Sequence, residues 1–169
     1  PAEPLFRSDS VPLKNQEYLI QLMPEILKRK GNAKLMLIGN GEQAYMQHLK
    51  ESAKNSGVEE KVIFCGGVSN VEDYLSACDV FAFPSLREGT PLALIEAQTN
   101  GLPCVISDKI PKDALLTELV SIVPLDEKEK WVDQLCEGRR NFCDYSSIIA
   151  SKGYCAKNAY TPIYKAYRG

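Results

Sequence analysis

Two glutamates, Glu88 and Glu96, stand with seven residues between them around a loop of glycine, threonine and proline, Glu88-Gly89-Thr90-Pro91. A carboxylate offers two acceptor oxygens to the two donors of a vicinal diol, and each such charge-assisted hydrogen bond nets roughly 1.5–3 kcal/mol. The residues between the glutamates read as the start of a helix. Pro91 suits the first helical position and Thr90 the N-cap, which leaves free amides pointing back at the loop. Such an end carries partial positive charge and attracts anions by roughly 0.3–2 kcal/mol. Phosphate for the amides and hydroxyls for the carboxylates is the chemistry of a sugar nucleotide. From spacing alone a second reading stands beside it, in which Glu88 is a solvated loop charge and Glu96 an ordinary helix-surface residue.

The elements that must position these groups follow from periodicity. The stretch Asp79 to Pro103 reads as a buried strand at Val80–Phe83, the polar loop, and a helix closed by Gly101, with Leu92, Leu94 and Ile95 packing inward. Earlier in the chain, Tyr18, Leu19, Leu22, Met23, Ile26 and Leu27 form an apolar stripe at helical spacing, with Gly31 as the expected C-cap. Residues 34–38 are a short apolar run ending in Gly39-Asn40-Gly41, followed by a helix over about 42–56 that ends at Gly57. Residues 61–65 form the next strand, and Gly66-Gly67 turns the chain into a helix near 71–77. Strands follow at 104–107 and 119–123, then helix over 127–139 and a C-terminal helical segment at about 145–168, interrupted by Gly153 and Pro162. Residues 4–7 are a short, proline-flanked candidate for a first strand.

Strands alternating with helices of this length predict an α/β fold, a single doubly wound, Rossmann-like parallel sheet with right-handed crossovers. Ligands of such sheets bind outside the carboxyl ends of the strands. The three glycine-bearing loops all follow a strand there, where glycine lets backbone amides approach a phosphate. Gly39-Asn40-Gly41 lacks the third glycine of a dinucleotide fingerprint, so it also reads as a plain tight turn. No repeat or linker divides the chain, and residues 1–169 read as one domain.

Composition sets the outer bounds. The 169 residues are 44% hydrophobic and 25% charged, with 20 Lys and Arg against 22 Asp and Glu. That is an ordinary globular balance, and scattered basic residues argue against a nucleic-acid partner. Apolar runs of four to six residues fall short of a membrane span. Pro1 to Pro4 has neither a basic start nor an apolar stretch, so no secretory signal is read; the lack of an initiator Met suggests a processed chain or a piece of a longer one. The six cysteines form no CxxC pair and His48 is the only histidine, so zinc spacings are absent and no metal is expected. Cys65 and Cys104 lie in apolar runs, which reads as buried reduced thiols and hence a cytoplasmic protein.

At these residues the sequence resembles a known family. Glu88-x7-Glu96 within PSLREGTPLALIEAQTNGLPCVISD resembles the signature of retaining GT-B glycosyltransferases of family 4. Lys14-Asn15, KLMLIGNGE at 34–42 and KVIFCGGVSNVEDYLSACDVF at 61–81 follow the same pattern in order, as does the C-terminal helical segment. The resemblance implies the C-terminal, donor-binding half of a GT-B fold, similar to bacterial capsular and exopolysaccharide transferases. It implies two catalytic-site residues: Lys14 on the donor diphosphate and Glu88 on the donor sugar hydroxyls. It places Glu96 on the ribose, the backbone at Gly39, Gly41, Gly89, Thr90, Pro91 and Leu92 against phosphates or sugar, and Phe64 and Val71 beside the base. Phe64 and Val71 also read as core.

The implied function is hexose transfer from a nucleoside-diphosphate sugar to a glycan or lipid-linked acceptor in surface polysaccharide synthesis, with no cofactor. The full-length protein would sit in the cytoplasm, peripheral to the inner face of the membrane. Two departures stand out. Asp9 takes the place of an arginine that the family pairs with the motif lysine, preceded by Ser8 in place of glycine, with Arg7 nearby. The N-terminal acceptor domain, with its catalytic-region histidine, has no counterpart; His48 falls among polar helix residues and reads as a surface group. The chain alone is therefore expected to bind and not to turn over. Two rivals remain: a sugar-nucleotide 2-epimerase-like GT-B half, which the glutamate spacing disfavours, and a degenerate non-catalytic nucleotide-binding module.

Overall fold

The computed structural model describes residues 11–140 and 145–154. The candidate first strand at 4–7, with Arg7, Ser8 and Asp9, lies outside the described residues, as do Cys143, Cys155 and the C-terminal segment beyond residue 154.

The chain enters through a 3₁₀ turn, Val11–Lys14, and passes into helix α1, Gln16–Arg29. The apolar stripe forms as its spacing requires: Tyr18, Leu19, Leu22, Met23 and Ile26 are buried. The helix stops one residue earlier than Gly31 would dictate. Lys30 is the C-cap, its amide donating to the Ile26 carbonyl at 2.7 Å, and Gly31 falls in the turn that follows. Strand β1 (Leu35–Ile38) leads into α2 (Gln43–Asn55), which Gly57 closes with φ 67°. Strand β2 (Val62–Gly66) leads into the short α3 (Val71–Ser76), and β3 (Phe81–Phe83) into α4 (Leu92–Thr99). Beyond Gly101, at φ 73°, come β4 (Cys104–Ile106), β5 (Val120–Ile122), α5 (Lys128–Glu137) and α6 (Ser146–Ser151).

Every described strand pairs in parallel, as the alternation of strand and helix predicts. The expected single sheet appears among the described residues as two ladders, β1-β2 and β3-β4-β5. A cavity of about 1280 Å³ is lined by residues of both β1 and β3, and it runs to the carboxyl ends of the strands. The ladders are thus held by helices rather than by strand pairing. On one face α1 and α5 pack together: the Trp131 indole is fully buried, edge-on to Tyr18 at 5.4 Å, and donates to the carbonyls of Val123 and Pro124. On the other face Leu94 and Ala97 of α4 are wholly enclosed with Leu75, Phe83, Leu102 and Ile106.

One side chain closes the back of the site-bearing half. The Arg140 guanidinium donates to the carbonyls of Leu75, Ser76 and Cys78 at the end of α3, and to the Asn100 carbonyl and side chain at the end of α4. Helix C-termini leave carbonyls without intrahelical partners, and a cation there also answers the dipole. Among the described residues the cysteines are free, and burial raises the Cys104 thiol pKa well above its ordinary value.

Candidate functional site

The turns after β1 and β2 are built as one unit. Gly39, at φ 131°, donates its amide to the Gly66 carbonyl at 2.8 Å, continuing the ladder past the end of β1. The Asn40 side-chain oxygen accepts the Gly67 amide at 2.8 Å. A Cβ on Gly67 would lie 2.4 Å from the Asn40 amide nitrogen, so any larger residue there would have to push the Asn40 side chain aside. The amides of Gly39 and Gly67 are therefore spent within the fold and do not face a phosphate. Gly41 lines the cavity.

Lys14 is brought to the same edge by backbone ties to the loop after β3. The Leu86 amide donates to the Leu13 carbonyl at 2.8 Å. Asn15 adopts the left-handed conformation, φ 55°, which asparagine tolerates better than most residues, and its side chain donates to the Pro84 carbonyl at 3.2 Å. Held this way, the Lys14 ammonium donates to both carboxylate oxygens of Glu88, at 2.7 and 2.8 Å, and lies 5.6 Å from the centre of the Phe83 ring. The pair is largely withdrawn from water, the side chains being 19% and 7% exposed.

Helix α4 starts one residue later than expected. Pro91, not Thr90, is the N-cap, and no side chain caps the helix. Proline has no amide of its own, and its carbonyl accepts from Leu94 and Ile95. The Leu92 amide donates to the Thr90 carbonyl, so it too is occupied, and the Leu92 side chain is 52% exposed rather than packed inward. Leu94 and Ile95 do pack inward. Leu94, Ile95, Ala97 and Gln98 make up the enclosed arc of the helix, and at 3.6 residues per turn Leu92 lies beyond its edge.

On the same helix, Glu96 lines the cavity. One of its carboxylate oxygens is buried and has no hydrogen-bond partner among the described residues. Burial, with the neighbouring Glu72 charge behind it, raises its pKa above the ordinary carboxylate value. A buried acceptor of this kind costs about 1–3 kcal/mol until something donates to it. On the far side of α4, the fully buried Gln98 fixes the helix, donating to the carbonyls of Leu94 and Ala114 and accepting from Leu116 and Thr117.

The cavity gathers Lys14, Gly39, Gly41, Val71 and Glu96. Glu88 joins them through Lys14, with Gly89 and Thr90 exposed and Pro91 buried in the adjoining loop. Phe64 does not join: its ring packs on the cluster formed by α1, α2 and α5, under the Lys50 ammonium at 5.8 Å. Strand alternation turns it away from the cavity and brings Ile63 to it instead. His48 is exposed and pairs with Glu17 at 3.0 Å, as a surface histidine should. Sequence reasoning missed Asn40, Gln98 and Arg140; a polar residue inside an apolar helix stretch was the one available signal, for Gln98. Among the described residues no cluster of three or more metal-ligating side chains occurs, and no helix is long and apolar enough to cross a membrane.

Residues 5–138 match the family described as glycosyl transferases group 1. The putative glycosyltransferase EpsF of Bacillus subtilis is 36% identical over 98 residues, covering 58% of this chain and 25% of that protein. The UDP-Gal:alpha-D-GlcNAc-diphosphoundecaprenol alpha-1,3-galactosyltransferase of Escherichia coli is 33% identical over 100 residues, covering 57% and 25%. Anabaena HepE, solved in complex with UDP and glucose, superposes with a TM-score of 0.75 at 18% identity, covering 93% of this chain and 45% of HepE. The chain thus spans about a quarter of the curated relatives' length, and its α/β fold is that of a GT-B glycosyltransferase domain. On the extent of the family match, the chain belongs to the glycosyl transferases group 1 family.

Proposed function

We propose that this chain is the donor-binding domain of a retaining hexosyltransferase, taking a nucleoside-diphosphate sugar and delivering the hexose to a glycan or lipid-linked acceptor. The observation that carries the reading is the cavity that reaches the carboxyl ends of the strands, lined by both Lys14 and Glu96, the latter with one buried oxygen that has no partner among the described residues. A ribose diol supplies the two donors that a Glu96 carboxylate lacks, and Lys14 supplies positive charge for the diphosphate. Glu88, at hydrogen-bond distance from Lys14, takes the sugar hydroxyls beside that diphosphate. Val71, Gly41 and the Gly89–Leu92 backbone bound the ligand. Such a site works by holding the donor and stabilising the departing diphosphate rather than by a side-chain nucleophile. The relatives whose names mention a diphosphoundecaprenol substrate or capsular polysaccharide support the acceptor class.

An N-terminal half carrying the acceptor site is needed for transfer, so this chain alone binds donor without turning it over. The whole protein works in the cytoplasm at the inner membrane face. The test is calorimetric titration with UDP and GDP. Glu96→Ala is expected to weaken the better-bound nucleotide roughly 10–150-fold, the loss of one such hydrogen-bonded group. Absence of binding by the unmutated chain at millimolar nucleotide would overturn the reading. Because a lysine rather than a metal ion is the proposed diphosphate ligand, chelator should leave the binding isotherm unchanged.

A further inference from the structure

The Lys14–Glu88 pair presents a problem that the donor reading does not resolve. Glu88 places both of its oxygens on the ammonium that the diphosphate is to use. The pair is not a loose surface contact, because the Leu86–Leu13 and Asn15–Pro84 hydrogen bonds hold the two backbones together and both side chains are mostly enclosed. A diphosphate arriving at Lys14 therefore comes within reach of a fixed carboxylate. Two anions sharing one ammonium in a partly desolvated place repel each other, unlike the same charges in open water.

We propose that this ion pair makes the site favour the intact donor over the spent nucleoside diphosphate. The proposal rests on the donor-binding reading above. With the cavity empty, Glu88 stands in for the anion and keeps Lys14 charge-compensated. When a nucleoside-diphosphate sugar binds, Lys14 turns toward phosphate and the hexose hydroxyls, held next to that phosphate by the covalent link, donate to Glu88. Each group exchanges one partner for another. A nucleoside diphosphate without its sugar brings the phosphate charge but no hydroxyl donors for Glu88, so the carboxylate remains as an uncompensated repulsion. Glu88 then acts twice, as a holder of the sugar and as the group that weakens retention of the product.

The test compares UDP, UDP-glucose and UDP-galactose by calorimetry on the full 169-residue chain, unmutated and as Glu88→Gln, Glu88→Ala and Glu88→Asp. The unmutated chain should bind one of the two sugar nucleotides more tightly than UDP. Removing the charge, by Gln or Ala, should tighten UDP by about 3- to 10-fold while leaving the sugar nucleotide unchanged or weaker. Glu88→Asp keeps the charge and should not tighten UDP. Thermal melts identify any variant that does not fold, and the unmutated ratio of UDP to sugar-nucleotide affinity still decides in that case. If UDP weakens in Glu88→Gln in parallel with the sugar nucleotide, or is unmoved, the proposal fails while the donor site stands. A chain that binds neither UDP nor a sugar nucleotide loses the donor reading and this inference together.

Discussion

Glu88 and Glu96 sit on one loop–helix segment, yet the fold treats them in opposite ways. Glu88 is nearly enclosed, and a lysine 74 positions away in sequence satisfies it with two hydrogen bonds. Glu96 is placed against a cavity with one oxygen unsatisfied and its pKa raised by burial. The first is a carboxylate the protein has stabilised; the second is one it leaves unsatisfied, and it is the group our proposal gives to the ribose. A satisfied group costs the fold little and gives up a partner when it binds. An unsatisfied one costs the fold while empty and gains on binding.

That contrast can be broken from either side. The largest effect is expected from Lys14→Ala, which strands Glu88 as an enclosed, unpaired carboxylate and should lower unfolding stability by about 2–4 kcal/mol in urea titration. The Lys14→Ala, Glu88→Ala double variant should recover most of that loss. Glu96→Gln should move the other way. It removes a buried charge and should raise stability by about 1 kcal/mol at neutral pH while weakening UDP binding.

The pH dependence of the Glu96→Gln gain follows from the raised pKa. A carboxyl whose folded pKa is raised binds its proton more tightly in the native state, so its favourable contribution is present below the unfolded value, 4.5, and is lost as pH rises through the folded value. The stability gain of Glu96→Gln should therefore shrink as the pH falls toward 4.5, and an unchanged gain across that range would contradict the assignment.

Gly67→Ala is a smaller perturbation. Its new methyl group must displace the Asn40 side chain, and UDP affinity should drop about 3- to 10-fold with a stability change of about 1 kcal/mol or less. The smallest effect is expected from His48→Ala, which leaves UDP affinity unchanged. Its hydrogen bond to Glu17 raises the histidine pKa, so the slight stability it adds is present below pH 6.5 and disappears as pH rises through the folded value.

The sequence made some of this legible and hid the rest for identifiable reasons. Strand and helix positions were readable because each buried face repeats with its own period, and the α1 stripe from Tyr18 to Ile26 formed as spaced. The start of α4 was misplaced by one residue because threonine and proline each have a helix-start preference and here proline prevailed. Leu92 was misjudged because it lies outside the enclosed arc of Leu94, Ile95, Ala97 and Gln98, which a run of apolar residues does not reveal. The two ladders could not be foreseen, because periodicity assigns strands without saying which edges pair. Lys14 and Glu88 were each singled out, but no local pattern announces an ion pair across 74 positions. Asn40 reads as a turn residue in any strand–helix connection; only the position of Gly67 beside it shows that it ties two turns together.

Arg140 bears on where the chain can be cut. The stretch that matches the family ends at residue 138, two positions short of it. A fragment trimmed at that boundary would keep every helix and strand from β1 to α5 and still lose the guanidinium that closes α3 and α4 from behind. Carbonyls of Leu75, Ser76, Cys78 and Asn100 would be left to solvent or to nothing. The boundary drawn by similarity is therefore not the boundary drawn by folding: a shortened version should retain residue 140 if the helix bearing Glu96 is to keep its footing.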